Sequence, residues 1–304
     1  MRPLLRFSIY FALVALSLPT IAEGLSPRPA LLPRLEDVPA IPSASLAAIE
    51  EGSGDLPGNA AFAIYRWDRF PSVLIFDMAD FTEQDRMFSR LAFFIEKRGY
   101  RGRLLSDALL AGKHGWNAHD YGPDGLASFF NAAASARFPL DAEELVLRGI
   151  VLREGIIARA LEGAAFVPGA GAVLSISRAS DHQERILLLA HESCHGVYFC
   201  SAEYRALCER LWKEAPATER LFMTSLLGAL GYDAASHGLV VNEFQAYLLQ
   251  QPRSMAAAYF ERVGKLVADK SGVATAAEIL PDLLKDEAAL ENFLKARYAS
   301  KQSY

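Results

Sequence analysis

The segment Ile186-Leu-Leu-Leu-Ala-His191-Glu192-Ser-Cys-His195-Gly-Val-Tyr-Phe199 carries reactive side chains at a chemically useful spacing. Residues four apart on an α-helix lie about 40° apart around its axis, so the imidazoles of His191 and His195 share a face and reach one cation. Glu192 stands to the side of that pair, where its carboxylate meets a water polarised by the cation and not the cation itself. Neutral imidazoles leave a zinc ion enough positive charge to lower the pKa of its water from about 15.7 to near 7, and a carboxylate shuttles the released proton. Lys or Asn supplies neither function. Between Ile186 and Phe199 the flanks are uncharged apart from Glu192, as a helix buried at an active centre requires.

A catalytic zinc takes three protein ligands and keeps a fourth position open. The third candidate is Glu243, within Val240-Val-Asn242-Glu243-Phe-Gln-Ala246-Tyr247, 48 residues beyond His195 on a later helical stretch. Asp233 and Glu203 are the reserve ligands. Hydrolysis of this kind also needs a donor for a developing oxyanion, and Tyr232, His237 and Tyr247 lie near the third ligand in the chain. A second polar cluster, Lys113-His114-Gly-Trp116-Asn117-Ala-His119-Asp120-Tyr121, is interrupted by glycine. It reads as a loop that lines the cleft, binds a second ion, or lies on the surface with Trp116 as its anchor. His182, beside Asp181 and Glu184 at the start of the motif helix, reads as a solvated capping residue, because the positive end of the helix dipole disfavours a cationic imidazole there.

The pairing of His191-Glu-Ser-Cys-His195 with Asn242-Glu243-Phe-Gln-Ala246 resembles the gluzincin group of zincin metallopeptidases, over roughly residues 170 to 250. The resemblance implies a zincin fold and hydrolysis of peptide bonds, with Zn2+ as cofactor, His191, His195 and Glu243 as metal ligands, Glu192 as base, and a peptide or protein as substrate. It also implies a substrate lying beside an edge strand ahead of the motif helix, and Ala172 to Ser177 stands where that strand belongs. Thermolysin-like members carry Asp four residues after the ligand Glu, where this chain has Tyr247. Metzincins need Gly and His where it has Tyr198 and Ser201, which excludes them, and the Gly-Ala-Met-Glu-Asn exopeptidase motif is absent. A different reading of the same residues is an exported zinc-holding binding or assembly protein on a zincin scaffold without turnover.

These residues must be positioned by the rest of the chain. Ala61 to Tyr65, Ser72 to Phe76 and Ala172 to Ser177 are β-prone, the last alternating as Ala-Val-Leu-Ser-Ile-Ser. Helical spacing runs over Thr82 to Lys97, with Thr82 as cap, then near Leu104 to Ala111, Gly125 to Ala136 and Asp141 to Leu161. Helices dominate thereafter: Asp181 to Phe199, Ala202 to Trp212, Ala217 to Leu230, His237 to Gln250, Met255 to Ala268 and two more. The fold class read from this is α+β, predominantly helical, a zincin-like domain with a small N-terminal α/β part. Its divisions are 1–22 as a signal peptide, 23–57 as a Pro-rich leader or linker, 58–140 as the N-terminal α+β part, and 141–304 as the mostly helical catalytic part.

The signal reading rests on Arg2 and Arg6, an apolar run of twelve residues from Phe7 to Leu18, and small Thr20 and Ala22 ahead of Glu23. Twelve falls short of the roughly 20 residues a spanning helix needs, so no stable membrane insertion is expected after cleavage. The destination is exported, periplasmic or extracellular. Without Arg2 and Arg6 the chain has 29 basic against 36 acidic residues. With no dense basic run, that balance argues against nucleic acid or anionic lipid as partner. In an oxidising compartment Cys200 and Cys208 can pair, with Cys194 left over; three buried thiols is the alternative.

Overall fold

Residues 40–52, 56–270 and 272–298 are described by the computed structural model. The expected signal peptide and the first part of the Pro-rich leader lie outside the described residues. The elements are β1 (Ser43–Ala44), α1 (Leu46–Glu50), a 3-10 turn (Pro57–Asn59), β2 (Phe62–Trp67), β3 (Val73–Met78), α2 (Phe81–Ile95), α3 (Asp107–Leu110), β4 (Ala118–Tyr121), α4 (Pro123–Ser135), α5 (Ala142–Arg153), β5 (Ile157–Arg159), β6 (Phe166–Pro168) and β7 (Ala172–Ser177). The motif helix follows as α6 (His182–Cys200), then α7 (Ala202–Glu214), α8 (Ala217–Leu230), α9 (His237–Leu249), α10 (Arg253–Gly264) and α11 (Ala276–Tyr298). The fold is α+β, with a mixed sheet and its helices in the N-terminal region and a mostly helical C-terminal region that houses the His-Glu-x-x-His site.

A five-stranded sheet in the order β1-β2-β3-β7-β4 separates two hydrophobic cores. Strand alternation assigns the faces: Val73, Ile75, Leu174 and Ile176 join the core under the C-terminal helices, while Leu74, Phe76, Met78 and Val173 join the core under α2, α4 and α5. Both faces of β3 and β7 are covered, so these strands are buried throughout. Gly171 leads into β7 with φ near +118°, and a Cβ there would stand 2.2 Å from the Ser72 carbonyl oxygen, so only glycine fits this entry.

Four expectations change. The edge strand beside the motif helix is β4, not Ala172 to Ser177, because β7 is enclosed between β3 and β4. The helix starting near Asp141 stops at Arg153 rather than Leu161: Gly155 adopts φ +72°, and a β5–β6 hairpin follows. The cap of α2 is Asp80, whose carboxylate accepts the Glu83 N–H at 2.8 Å, not Thr82. Residues 40–52 of the leader are not an extended linker; β1 pairs in parallel with β2, and Ile49 of α1 is buried in the core with α6.

Two devices place the motif helix. Arg185, in the first turns of α6, is 2 % exposed and reaches three elements at once: Asp77 of β3 at 3.0 Å, the Ser177 carbonyl of β7 at 2.9 Å and the Ile49 carbonyl of α1 at 2.6 Å. Leu188, Leu189 and Val197 then bury the helix against the sheet, each Leu contributing about 1.5–3 kcal/mol. Opposite α6 lies α9, buried from Val240 to Leu248 on every side, as expected of a helix hydrophobic all round. The end of α2 is stitched to the turn between α8 and α9 by backbone bonds from Arg98 to Gly231 and from Asp233 to Glu96. Strand pairing and these contacts therefore run across residue 140, and the sheet draws on both sides of it.

Candidate metal centre

His191, Glu192 and His195 occupy the buried middle of α6, at 7 %, 4 % and 0 % exposure, and α9 brings Glu243, at 1 %, against them. The donors converge: the Nε2 atoms of His191 and His195 are 3.0 Å apart, His191 Nε2 is 3.4 Å from Glu243 Oε2, and His195 Nε2 is 3.8 Å from Glu243 Oε1. Ligands about 2.0–2.1 Å from a tetrahedral zinc stand roughly 3.3–3.4 Å from one another, so the donor spacings suit such an ion. The cluster matches the gluzincin type of site, two His and a Glu base on one helix and a Glu ligand on another.

The protonation pattern also fits a cation. Gln250 Oε1 accepts the Nδ1–H of His191 at 2.8 Å, which leaves the lone pair of Nε2 facing the cluster. Burial pulls the His191 pKa down to about 4, so the ring is neutral and ready to ligate. Burial pushes Glu243 up to about 8, offset by the field of His195 and by a hydrogen bond from Tyr232. Glu243 Oε2, Glu192 Oε2 and His195 Nδ1 are buried without a hydrogen-bond partner. Orphaned acceptors are rare in protein interiors, and here two belong to carboxylates of one small cluster.

Asp120 of the edge strand β4 completes the surroundings. Its Oδ2 lies 3.7 Å from His195 Nδ1 and accepts Asn242 Nδ2 at 3.2 Å. Asp120, Glu192 and His195 form a second group whose ligand atoms lie within 4.8 Å of one another. Burial, with the nearby Asp120, Glu243 and Glu96, drives the Glu192 pKa well above the ordinary carboxylate range.

A cavity of about 100 Å³ opens on the cluster, lined by His191, Glu192, Asp120, Glu96, Trp116 and Tyr232. Tyr247 also lines it and packs edge-on against His191 with ring centroids 4.9 Å apart. Of the oxyanion candidates, the structure brings Tyr232 and Tyr247 to the cavity but not His237. That side chain is 65 % exposed at the outer end of α9, bonded to Glu209 at 2.8 Å over a separate surface depression. The reserve ligands are also elsewhere: Glu203 pairs with Arg297 at 2.7 Å, and Asp233 faces Arg101 at 3.8 Å. The polar cluster from Lys113 to Tyr121 lines the cleft through Trp116, Asn117, Ala118 and Asp120, while His114 pairs with Asp85. Cys194, Cys200 and Cys208 are free; Cys200 lies beside Ser72 at 3.5 Å and Cys208 is buried in the core.

Two side chains at the centre, Gln250 and Glu96, escaped the sequence reading as functional residues, while Asp120 entered it within the Lys113–Tyr121 cluster. Gln250 carried a usable signal, standing seven residues beyond Glu243 and so on the same helical face two turns on. Glu96 carried none, since the link from α2 to the α8–α9 turn brings it in.

A structural zinc site closes its ion with four protein ligands; this one brings three donors together and sets an unpaired Glu192 oxygen beside a cavity. That arrangement belongs to a catalytic hydrolase centre rather than a passive holding scaffold. No family model, curated protein or solved structure matches the chain.

Proposed function

We propose that the protein is an exported zinc metallopeptidase that hydrolyses peptide bonds, with His191, His195 and Glu243 as ligands and Glu192 as general base. The observation that carries this reading is the convergence of the two Nε2 atoms and the Glu243 carboxylate beside a base with an unpaired oxygen. Two neutral imidazoles and one carboxylate with an open position favour zinc among the divalent ions. When bound there, zinc supplies a Lewis acid that polarises a carbonyl and acidifies water.

The chain's own residues do the rest. Glu192 takes the proton of the attacking water on its carboxylate and delivers it to the leaving amine. Its burial and acidic neighbours move its pKa well above the ordinary carboxylate range, which strengthens it as a proton acceptor. Gln250 fixes the tautomer of His191, and Tyr232 donates to Glu243 and so holds the carboxylate that faces both imidazoles. With the one O–H of Tyr232 committed to Glu243, Tyr247 is the candidate at the cavity wall for donation to a developing oxyanion. Export is proposed on the three-part pattern of residues 1–22; among the described residues no helix is long and apolar enough to cross a membrane.

The test is metal content and peptide-library hydrolysis of the secreted protein and of Glu192→Gln. The expected result is one zinc per chain in both, cleavage by the wild type, and a fall of about 10²–10⁴-fold in the variant. Undiminished cleavage by Glu192→Gln overturns the base assignment, and a mass that retains residues 1–22 overturns the export reading.

A further inference from the structure

The cavity that opens on the metal cluster is also lined by a carboxylate that neither ligation nor proton transfer uses. Glu96 follows α2 and is 3 % exposed. Its Oε2 accepts the indole N–H of Trp116 at 2.5 Å, while its Oε1 is buried with no partner. The adjacent Lys97 does not neutralise it by contact: its ammonium lies over the Trp116 ring, 2.9 Å from the centroid, and acts on Glu96 through space. Trp116 in turn stacks on Tyr232 with centroids 4.7 Å apart, and Tyr247 and Tyr259 extend the aromatic lining.

A buried acceptor held by one hydrogen bond and bordered by aromatic rings is suited to an ammonium or guanidinium group. The carboxylate supplies charge, and ring faces attract cations. Anions are disfavoured here, because Asp120, Glu192 and Glu243 add their fields to that of Glu96. Burial, with Asp120 and Glu243, raises the proton affinity of Glu96, and a cationic guest supplies the positive charge that this environment favours.

We propose that Glu96 anchors a positively charged group of the substrate, either the free α-ammonium of a peptide or a Lys or Arg side chain, beside the scissile bond. This rests on the metallopeptidase reading for its substrate but not for its binding test. In the zinc-loaded Glu192→Gln background, calorimetry compares norleucinamide, N-acetyl-lysinamide and N-acetyl-norleucinamide, which carry the charge at the α-amine, at the side chain, or nowhere. At least one charged probe should bind tenfold or more tightly than the neutral one, and which one does identifies the source. Adding Glu96→Gln should erase that difference at unchanged zinc content, whereas Glu96→Asp should retain part of it. Equal binding of all three probes, no binding of any, or discrimination that survives Glu96→Gln overturns the proposal. Selective binding without hydrolysis of any matching peptide by the wild type would instead sink the peptidase reading and leave the cation site standing.

Discussion

Two regions of this molecule bury carboxylates without partners, and they differ in what surrounds them. At the metal centre, Glu192 and Glu243 lie with unpaired oxygens next to two imidazoles whose Nε2 atoms point at each other. Between α8 and α11, Glu219 is fully buried with both oxygens unpaired, near Asp286 at 4 % exposure and Asp282. Among the described residues the second region brings no imidazole to its carboxylates and forms no group close enough to hold a metal ion, and Lys285 and Arg220 act on Glu219 only through space. There a proton does the neutralising: burial and Asp286 push Glu219 up to about 8, and burial pushes Asp286 up to about 6. Buried acidity by itself therefore marks a protonated acid. Two imidazole nitrogens converging with a carboxylate at one buried point mark a cation site.

Removing a donor should break this contrast most forcefully. His195→Ala and Glu243→Ala should lose the bound zinc and lower peptide hydrolysis by more than about 10³-fold, because each leaves two ligands where three are needed. Glu219→Gln should keep a full zinc complement. Elemental analysis of the three variants side by side decides it; zinc loss in Glu219→Gln would place both carboxylate regions in one functional unit.

A smaller effect should come from the surroundings of the ligands. Gln250→Ala removes the acceptor that orients His191 at 2.8 Å and should weaken zinc about 10–100-fold in a chelator competition, with Gln250→Glu restoring part of the affinity. An unchanged zinc affinity in Gln250→Ala would mean that packing against Tyr247 alone orients the ring.

How far the sequence disclosed these regions follows from the range of the interactions. His191, Glu192 and His195 were legible because one helix sets their spacing, and Glu243 because it stands on a second continuous helix. The strand at Ala172–Ser177 was legible from its alternation, but its interior place was not, since that depends on β4 pairing from 50 residues upstream. The overlong helix from Asp141 failed where a single glycine took a left-handed conformation, which periodicity does not register. His237 looked like a site residue by its nearness in the chain to Glu243, yet six residues along α9 turn its side chain to solvent and Glu209. Asp120 was visible only as one member of the Lys113–Tyr121 cluster, its place beside His195 depending on strand pairing, and Glu96 had no local signature, because backbone bonds between α2 and the α8–α9 turn bring it to the cleft.

The smallest effect separates the two regions by pH. In the unfolded chain Glu219 titrates near 4.5, whereas in the folded protein its pKa is about 8. Between those values the folded state holds a proton that the unfolded state has released. Stability is therefore present in full below about 4.5 and falls as pH rises through about 8, the slope following the difference in bound protons. Glu219→Gln keeps the shape and cannot ionise, so it should remove that loss and gain on the order of 1–3 kcal/mol over the wild type at pH 8.5, with little difference at pH 4. Asp286, raised to about 6, titrates inside this window in both proteins and is ionised in both at pH 8.5. Urea unfolding at the two pH values measures the effect on metal-free protein, so that zinc binding to the folded state does not enter. Parallel stability curves for the two proteins would show that Glu219 ionises in place without cost. The α8–α11 acids would then need a compensating cation after all, and the distinction from the metal centre would fall.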